Sequence, residues 1–256
     1  MPKSRGRSLR PTRAMAKQKK EFKPGTPFSV IFDMDGVIVD NRRYHFRAWR
    51  LFARKYGIPF DPDQFRNQLF GRTNDQILKG LFKRSLPAEE IGALAKEKEA
   101  LYRKIYQSHV RPARGLVKLL ASLKAHRVGL AVATAAPRIN LDFVLEQTNL
   151  RSHFSALLDA AEVRHGKPAP EIYLKAAARL NTAPSRCIAV EDSLPGIESV
   201  LRAGMKVVAI TTAHPREELC HADLVVDHFA ALSYDIFRTL LDRESAKPNR
   251  NFKEEK

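Results

Sequence analysis

Short apolar runs, rich in β-branched residues, punctuate this chain at wide intervals. They fall at Phe28–Phe32, at 128–133 (Val-Gly-Leu-Ala-Val-Ala), at 187–190 (Cys-Ile-Ala-Val), at 206–210 (Lys-Val-Val-Ala-Ile) and at 224–226 (Leu-Val-Val), with a shorter candidate at Ala156–Leu158. Runs this short and this continuous predict buried strands of a parallel sheet rather than half-exposed ones. Between them the apolar positions change to helical spacing. Leu116, Leu119, Leu120 and Leu123 share one face, as do Ile139, Phe143 and Val144; Ile172, Ala176 and Leu180 form another, and Ile197, Val200 and Leu201 a fourth. Strand and helix alternate regularly after residue 112. The expected fold class is therefore α/β, with a Rossmann-like parallel sheet.

The stretch between the first and second strands breaks this alternation. Residues 43–109 hold long helical patterns over Tyr44–Tyr56, Asp75–Phe82 and the charged Ala88–Gln107, separated by turn signals at Gly57-Ile58-Pro59 and Leu86-Pro87, with no convincing strand. We expect a small helical cap at 43–109, inserted into a core formed by 28–42 and 110–243. Residues 1–27 are expected to be a disordered basic tail and residues 244–256 a frayed C-terminal tail.

Composition narrows the class. With 256 residues, 44% hydrophobic and 29% charged, the chain can bury a core without staples. No apolar run approaches the ~20 residues of a membrane span, so no membrane partner is expected. Cys187 and Cys220 are the two cysteines, and Cys187 sits inside an apolar run. A disulfide framework is not expected, and a reducing, cytoplasmic setting is the default. The net charge of +17 is uneven: residues 1–23 carry nine Lys/Arg against Glu21 alone. That segment reads as a solvated extension, or as an early start with Met15 opening the shorter protein, in preference to an arm for nucleic acid. A transit peptide would share the Arg-rich, acid-poor composition, but no amphipathic face is apparent.

Ligands of open α/β sheets bind at the carboxyl ends of the strands, so the polar residues there are the candidates for chemistry. They are Asp33 and Asp35 after the first strand, Thr134 after the second, and Glu191 and Asp192 after the Cys-Ile-Ala-Val strand; Lys167 lies in the loop Gly166-Lys167-Pro168-Ala169-Pro170. Four converging carboxylates repel one another unless a hard cation sits among them, and Mg²⁺ suits a few carboxylates plus water and phosphate. A hydroxyl and an ammonium facing that cation would hold a transferring phosphoryl group. Taken singly, Asp33-Met34-Asp35-Gly36 could be an acidic turn, Thr134 a helix N-cap, Lys167 a surface lysine and Glu191-Asp192 a solvated cap. A calcium loop is excluded, because Val37-Ile38-Val39 offers no further oxygen ligands.

In order and spacing, Asp33-Met34-Asp35-Gly36-Val37, Thr134, Lys167-Pro168 and Glu191-Asp192 resemble the four motifs of the haloacid dehalogenase-like superfamily. Tyr44-His45-Phe46-Arg47-Ala48-Trp49, Gly166 to Tyr173 and Val190 to Ile197 resemble its β-phosphoglucomutase and sugar-phosphatase branch. The likeness covers about residues 28–240. It implies Asp33 as nucleophile, Asp35 as general acid and then base, and Thr134, with backbone N–H groups near Ala135, as donor to the phosphate. Lys167 would offset charge. Mg²⁺ would be held by Asp33, the Asp35 carbonyl and Asp192, with Glu191 assisting directly or through water. It further implies that the helical insert closes over the substrate, with His45 and Arg72 as substrate contacts. Two departures weaken the mutase likeness: Asn41 at a hinge position usually Ser or Thr, and Phe70 before Gly71 where that branch has Lys. The expected activity is therefore Mg²⁺-dependent hydrolysis of a small phosphorylated metabolite, a sugar phosphate, by a monomer. β-Phosphoglucomutase is the alternative, and a non-catalytic scaffold with a nucleic-acid-binding tail is an alternative of another class.

Overall fold

The computed structural model describes residues 28–62 and 73–242. Both expected tails, Met15 and the Arg72 candidate lie outside the described residues. Six strands form one parallel sheet: β1 (Ser29–Phe32), β2 (Gly129–Ala133), β3 (Ala156–Leu158), β4 (Cys187–Glu191), β5 (Lys206–Ile210) and β6 (Leu224–Val226), in the order β3-β2-β1-β4-β5-β6. The chain builds outward from β1 through β2 to β3, then returns to the other side of β1 for β4, β5 and β6. The order thus reverses beside β1, the place where open sheets leave a crevice at their carboxyl ends.

Both faces of the sheet are covered, so its central strands are apolar except for Ser29 at the start of β1 and Glu191 at the end of β4. Val30, Phe32, Leu130, Val132, Ile188 and Val190 pack on one side with helices α4 (Leu116–Ala125) and α5 (Arg138–Gln147). Ile31, Ala131, Ala133, Cys187 and Ala189 pack on the other with α6 (Glu171–Arg179) and α7 (Leu194–Arg202). A last helix, α8 (Tyr234–Asp242), buries Phe237 and Leu240 against the first side. The period of two has a direct consequence for the strand ends. Phe32 pairs with Val190, so Asp33 and Glu191 come next on neighbouring strands and on the face where α6 packs.

Two expectations need correction. Ile139 is 57% exposed, and the buried stripe of α5 is Asn140, Leu141, Val144 and Leu145. Pro137 starts the helix, and Leu141, Val144 and Leu145 at i, i+3 and i+4 set its inner face, leaving Ile139 about 200° around from Leu141. The N-cap of α5 is Pro137, so Thr134 does not cap it; the Thr134 hydroxyl instead accepts the Ala136 N–H at 3.0 Å.

Between β1 and α4 the described chain is helical: α1 (Arg42–Lys55), α2 (Asn74–Phe82) and α3 (Ala88–Tyr106). They share a hydrophobic cluster of their own, with Trp49, Phe52, Ile77, Leu78, Leu86, Ile91 and Leu94. Tyr102 and Tyr106 of α3 belong instead to the cluster under the sheet. The outgoing and returning segments meet where Ala113 N–H donates to the Ile38 carbonyl at 2.9 Å. Among the described residues no helix is long and apolar enough to cross a membrane. Cys187 is buried and Cys220 exposed, and both are free thiols.

Candidate active site

The carboxyl ends of β1, β2 and β4 converge on a cavity of about 270 Å³, and the helices α1, α2 and α3 form its far side. The floor is set by β1 and β4. Asp33 leaves the sheet with its N–H still bonded to the Val190 carbonyl at 3.0 Å. The Lys167 ammonium bridges the two strand ends, 2.7 Å from Asp33 Oδ1 and 2.6 Å from Glu191 Oε1. Three anchors hold these groups. Ser199 on α7 donates to the Ala169 carbonyl at 2.7 Å, which secures the Lys167 loop. The Tyr173 hydroxyl donates to Glu191 Oε1 at 2.6 Å. Glu191 Oε2 accepts the N–H groups of Asp192 and Ser193 at 3.0 and 3.2 Å and the Ser193 hydroxyl at 3.0 Å.

Glycine at two positions makes this packing feasible. Gly36 turns the chain with φ +80°, and a Cβ there would stand 1.8 Å from Asp192 Oδ2. The bare backbone of Gly196, in the first turn of α7, likewise admits the Glu191 carboxyl, which lies 2.0 Å from where a Cβ would be.

The resulting electrostatics favour a cation. Asp33, Glu191 and Asp192 are all buried, and an oxygen of each lies within 4.8 Å of the others. The Lys167 ammonium is shared by Asp33 and Glu191, while Asp192 faces the Arg42 guanidinium. Burial, opposed by Lys167 and reinforced by Glu191 and Asp35, pushes Asp33 up to about 7. Burial and the neighbouring carboxylates also raise Asp192 well above its ordinary value. Glu191 goes the other way: burial opposes its ionisation, but Lys167, Tyr173 and the backbone donors hold it below the usual carboxylate range. The donors are hard oxygens, and Asp192 rests against the Cβ-free turn that also carries Asp35, a set that fits Mg²⁺.

Above the floor stand Asp35 and Thr134. Asp35 is the more exposed carboxylate, 31% accessible at its side chain, and its Oδ1 accepts from Asn41 Nδ2 at 2.5 Å. The buried Asn41 also donates to the Tyr102 hydroxyl at 2.6 Å, so the hinge-side amide fixes the orientation of Asp35. His45 Nε2 is 3.8 Å from the same Asp35 oxygen. The imidazole stacks on Tyr102 with centroids 3.8 Å apart, and its Nδ1 is 3.0 Å from the Lys98 ammonium. With an ammonium as donor, Nδ1 accepts and Nε2 carries the ring proton toward Asp35. Thr134, Ala135, Lys167 and Asp192 line the cavity with Asp33, Asp35 and His45, while Glu191 lies buried just beneath.

The structure thus gathers Asp33, Asp35, His45, Thr134, Ala135, Lys167, Glu191 and Asp192 in one place. Several cavity residues were not singled out from the sequence: Lys98 and Glu99 on α3, Asn140 on α5, and Arg42 at the start of α1, which donates to the Thr212 carbonyl. Lys98 was detectable. It falls in the stripe Ile91, Leu94, Lys98, Tyr102, where a charge on the apolar face of a helix calls for a buried partner.

Comparison with known proteins gives a consistent result. Residues 30–210 match the family described as haloacid dehalogenase-like hydrolase. The chain is 33% identical over 216 residues to a β-phosphoglucomutase of Bacillus subtilis, covering 81% of this chain and 92% of that protein. It is 33% identical over 181 residues to a fructose-1-phosphate phosphatase of Escherichia coli, covering 71% and 95% respectively. Among solved structures, a family IA, variant 3 hydrolase of Entamoeba histolytica superposes with a TM-score of 0.79 at 28% identity, covering 84% of this chain and all of that one.

Proposed function

Since this chain belongs to the haloacid dehalogenase-like hydrolases and is therefore an enzyme, we propose that it hydrolyses a small sugar phosphomonoester through an aspartyl-phosphate on Asp33. Membership of that family sets aside the non-catalytic scaffold. The observation that carries the reading is the Asp33–Lys167–Glu191 bridge: a carboxylate held at a strand end by one buried ammonium, beside a second carboxylate, Asp192, seated on Gly36.

In this reading one oxygen of Asp33 attacks phosphorus while Lys167 holds the other. The bond from phosphorus to the sugar oxygen breaks, and Asp35 gives that oxygen its proton. Asp35 then takes a proton from water, whose oxygen attacks the same phosphorus and releases orthophosphate and free Asp33. Thr134 and the Ala135 N–H face the non-bridging oxygens. Asp33, the Asp35 carbonyl and Asp192 would hold Mg²⁺, which offsets phosphate charge when bound. Glu191 acts by orienting Lys167 and the Asp192 backbone, since all its donors are already placed. His45, and Arg72 with it, would contact the substrate. Residues 28–42 and 110–243 form the catalytic core and 43–109 the cap, in a monomer.

β-Phosphoglucomutase is the second reading, favoured by the contact of His45 with Asp35 and Lys98 and by the similarity to the B. subtilis enzyme. Orthophosphate release from a panel of sugar phosphates with Mg²⁺ separates the two. Isomerisation of β-glucose 1-phosphate that depends on a bisphosphate primer, without net release, would replace hydrolysis by the mutase reading.

A further inference from the structure

On the cap side of the cavity, across from Asp33, Glu191 and Asp192, a further carboxylate is buried. Glu99 is 5% exposed and belongs to α3. Its Oε1 accepts from the Lys98 ammonium at 2.7 Å and from Asn74 Nδ2 at 2.8 Å, and its Oε2 from Asn140 Nδ2 at 2.6 Å. Arg103 donates to Asn140 Oδ1 at 2.7 Å, which turns the amide nitrogen toward Glu99. The carboxylate is therefore held in place from α2, α3 and α5 together.

This placement decides what Lys98 can do. Alone, a buried ammonium facing the cavity would receive an anion carried by the substrate. Here its charge is already met by Glu99. Beyond His45, Trp49 and Ile77, the remaining ceiling is amide and hydroxyl: Asn41, Thr73, Asn74, Gln76 and Asn140. Such groups exchange hydrogen bonds with hydroxyls and accept an ammonium beside a carboxylate, but they do not neutralise a phosphate. Of the other cations bordering the cavity among the described residues, Lys167 bridges Asp33 and Glu191, and Arg42 donates to the Thr212 carbonyl and faces Asp192 and Asp40. A second phosphate on the leaving group would meet Glu99 at short range with Lys98 already engaged.

We propose that Glu99 is a specificity-determining residue that restricts this enzyme to monophosphates whose leaving group is neutral and hydroxyl-rich or amine-bearing, and rejects those with a second phosphate or carboxylate. This rests on the phosphatase reading above. It works by repulsion as well as attraction: the carboxylate both occupies Lys98 and opposes a second anion.

The test compares orthophosphate release by the full-length protein with Mg²⁺ from matched pairs, fructose 1-phosphate with fructose 1,6-bisphosphate and glucose 1-phosphate with glucose 1,6-bisphosphate. The wild type should favour the monophosphate in kcat/KM by about tenfold or more, the scale of a like-charge contact in a partly screened site. Glu99→Gln and Glu99→Asn should shift that ratio toward the bisphosphate, through a fall in its KM, as Lys98 becomes free to receive the second phosphate. A residue that only packed would lower both members of a pair together. The wild-type ratio reads the proposal without any variant, so poor folding of either substitution does not shield it. Equal turnover within pairs, or a ratio unmoved in folded variants, would overturn the proposal while leaving hydrolysis intact. No release from any monophosphate would overturn the phosphatase reading, and the proposal with it.

Discussion

The Asp192 carboxylate occupies the space that a side chain at Gly36 would need: a Cβ there would stand 1.8 Å from Oδ2. Two residues 156 positions apart in the chain are thereby fitted to one another, and the turn that carries Asp33 and Asp35 is shaped around the proposed metal ligand. Gly36→Ala should therefore act twice. A φ of +80° is strained for alanine, by about 1 kcal/mol, and Asp192 must move. We expect a modest fall in melting temperature together with about a 10–100-fold loss of apparent Mg²⁺ affinity, read from the Mg²⁺ dependence of phosphate release. Lowered stability with unchanged Mg²⁺ dependence would separate the turn from the metal site.

Lys167 is the buried cation shared by Asp33 and Glu191. Replacing it by methionine leaves two buried carboxylates without it. The expected cost is about 3–5 kcal/mol of stability, measured by denaturant unfolding, and loss of turnover by about two orders of magnitude or more. Added Mg²⁺ should restore part of the stability but not the activity. A variant as stable as the wild type without Mg²⁺ would show that the bridge contributes little.

The Glu99 cluster has a pH signature. Burial opposes ionisation, but the Lys98 ammonium and the Asn74 amide hold the carboxyl at about 2, below its ordinary 4.5. A group whose pKa is depressed on folding contributes stability above its unfolded pKa and loses it as pH falls through the folded one. The contribution, on the order of 3 kcal/mol, should be complete above pH 4.5 and decline from there toward pH 2. Glu99→Gln should flatten that part of the stability profile measured between pH 5 and 2. An identical acid slope in both proteins would contradict the assignment.

How much of this was legible beforehand follows from where the information sits. The six strands announced themselves because a doubly covered parallel sheet needs continuous apolar runs, and the residues ending three of those runs are the ones that converge. Asp33, Asp35, Thr134, Glu191 and Asp192 could be located by that rule alone. Ile139 could not be assigned correctly, because its spacing to Phe143 is helical whichever face is buried; the phase was set by Pro137 and the Leu141–Leu145 stripe. Lys98, Glu99 and Asn140 come from two helices that meet only when the insert folds over the sheet, so their juxtaposition is tertiary. Glu99 in particular reads as one more charge in a charged stretch until its three partners are seen. Asn41 stood out as a departure at the hinge, but that its amide joins Asp35 to Tyr102 required coordinates.

The proposed chemistry requires that Asp33 become phosphorylated. Acid-quenched single turnover with a sugar monophosphate and Mg²⁺, followed by mass spectrometry of the peptides, measures this directly. The phosphoryl group should appear on the peptide containing Asp33, decay as orthophosphate forms, and be absent, with turnover abolished, in Asp33→Asn. Phosphate release persisting in that variant, or a phosphoryl group on another residue, would contradict the mechanism.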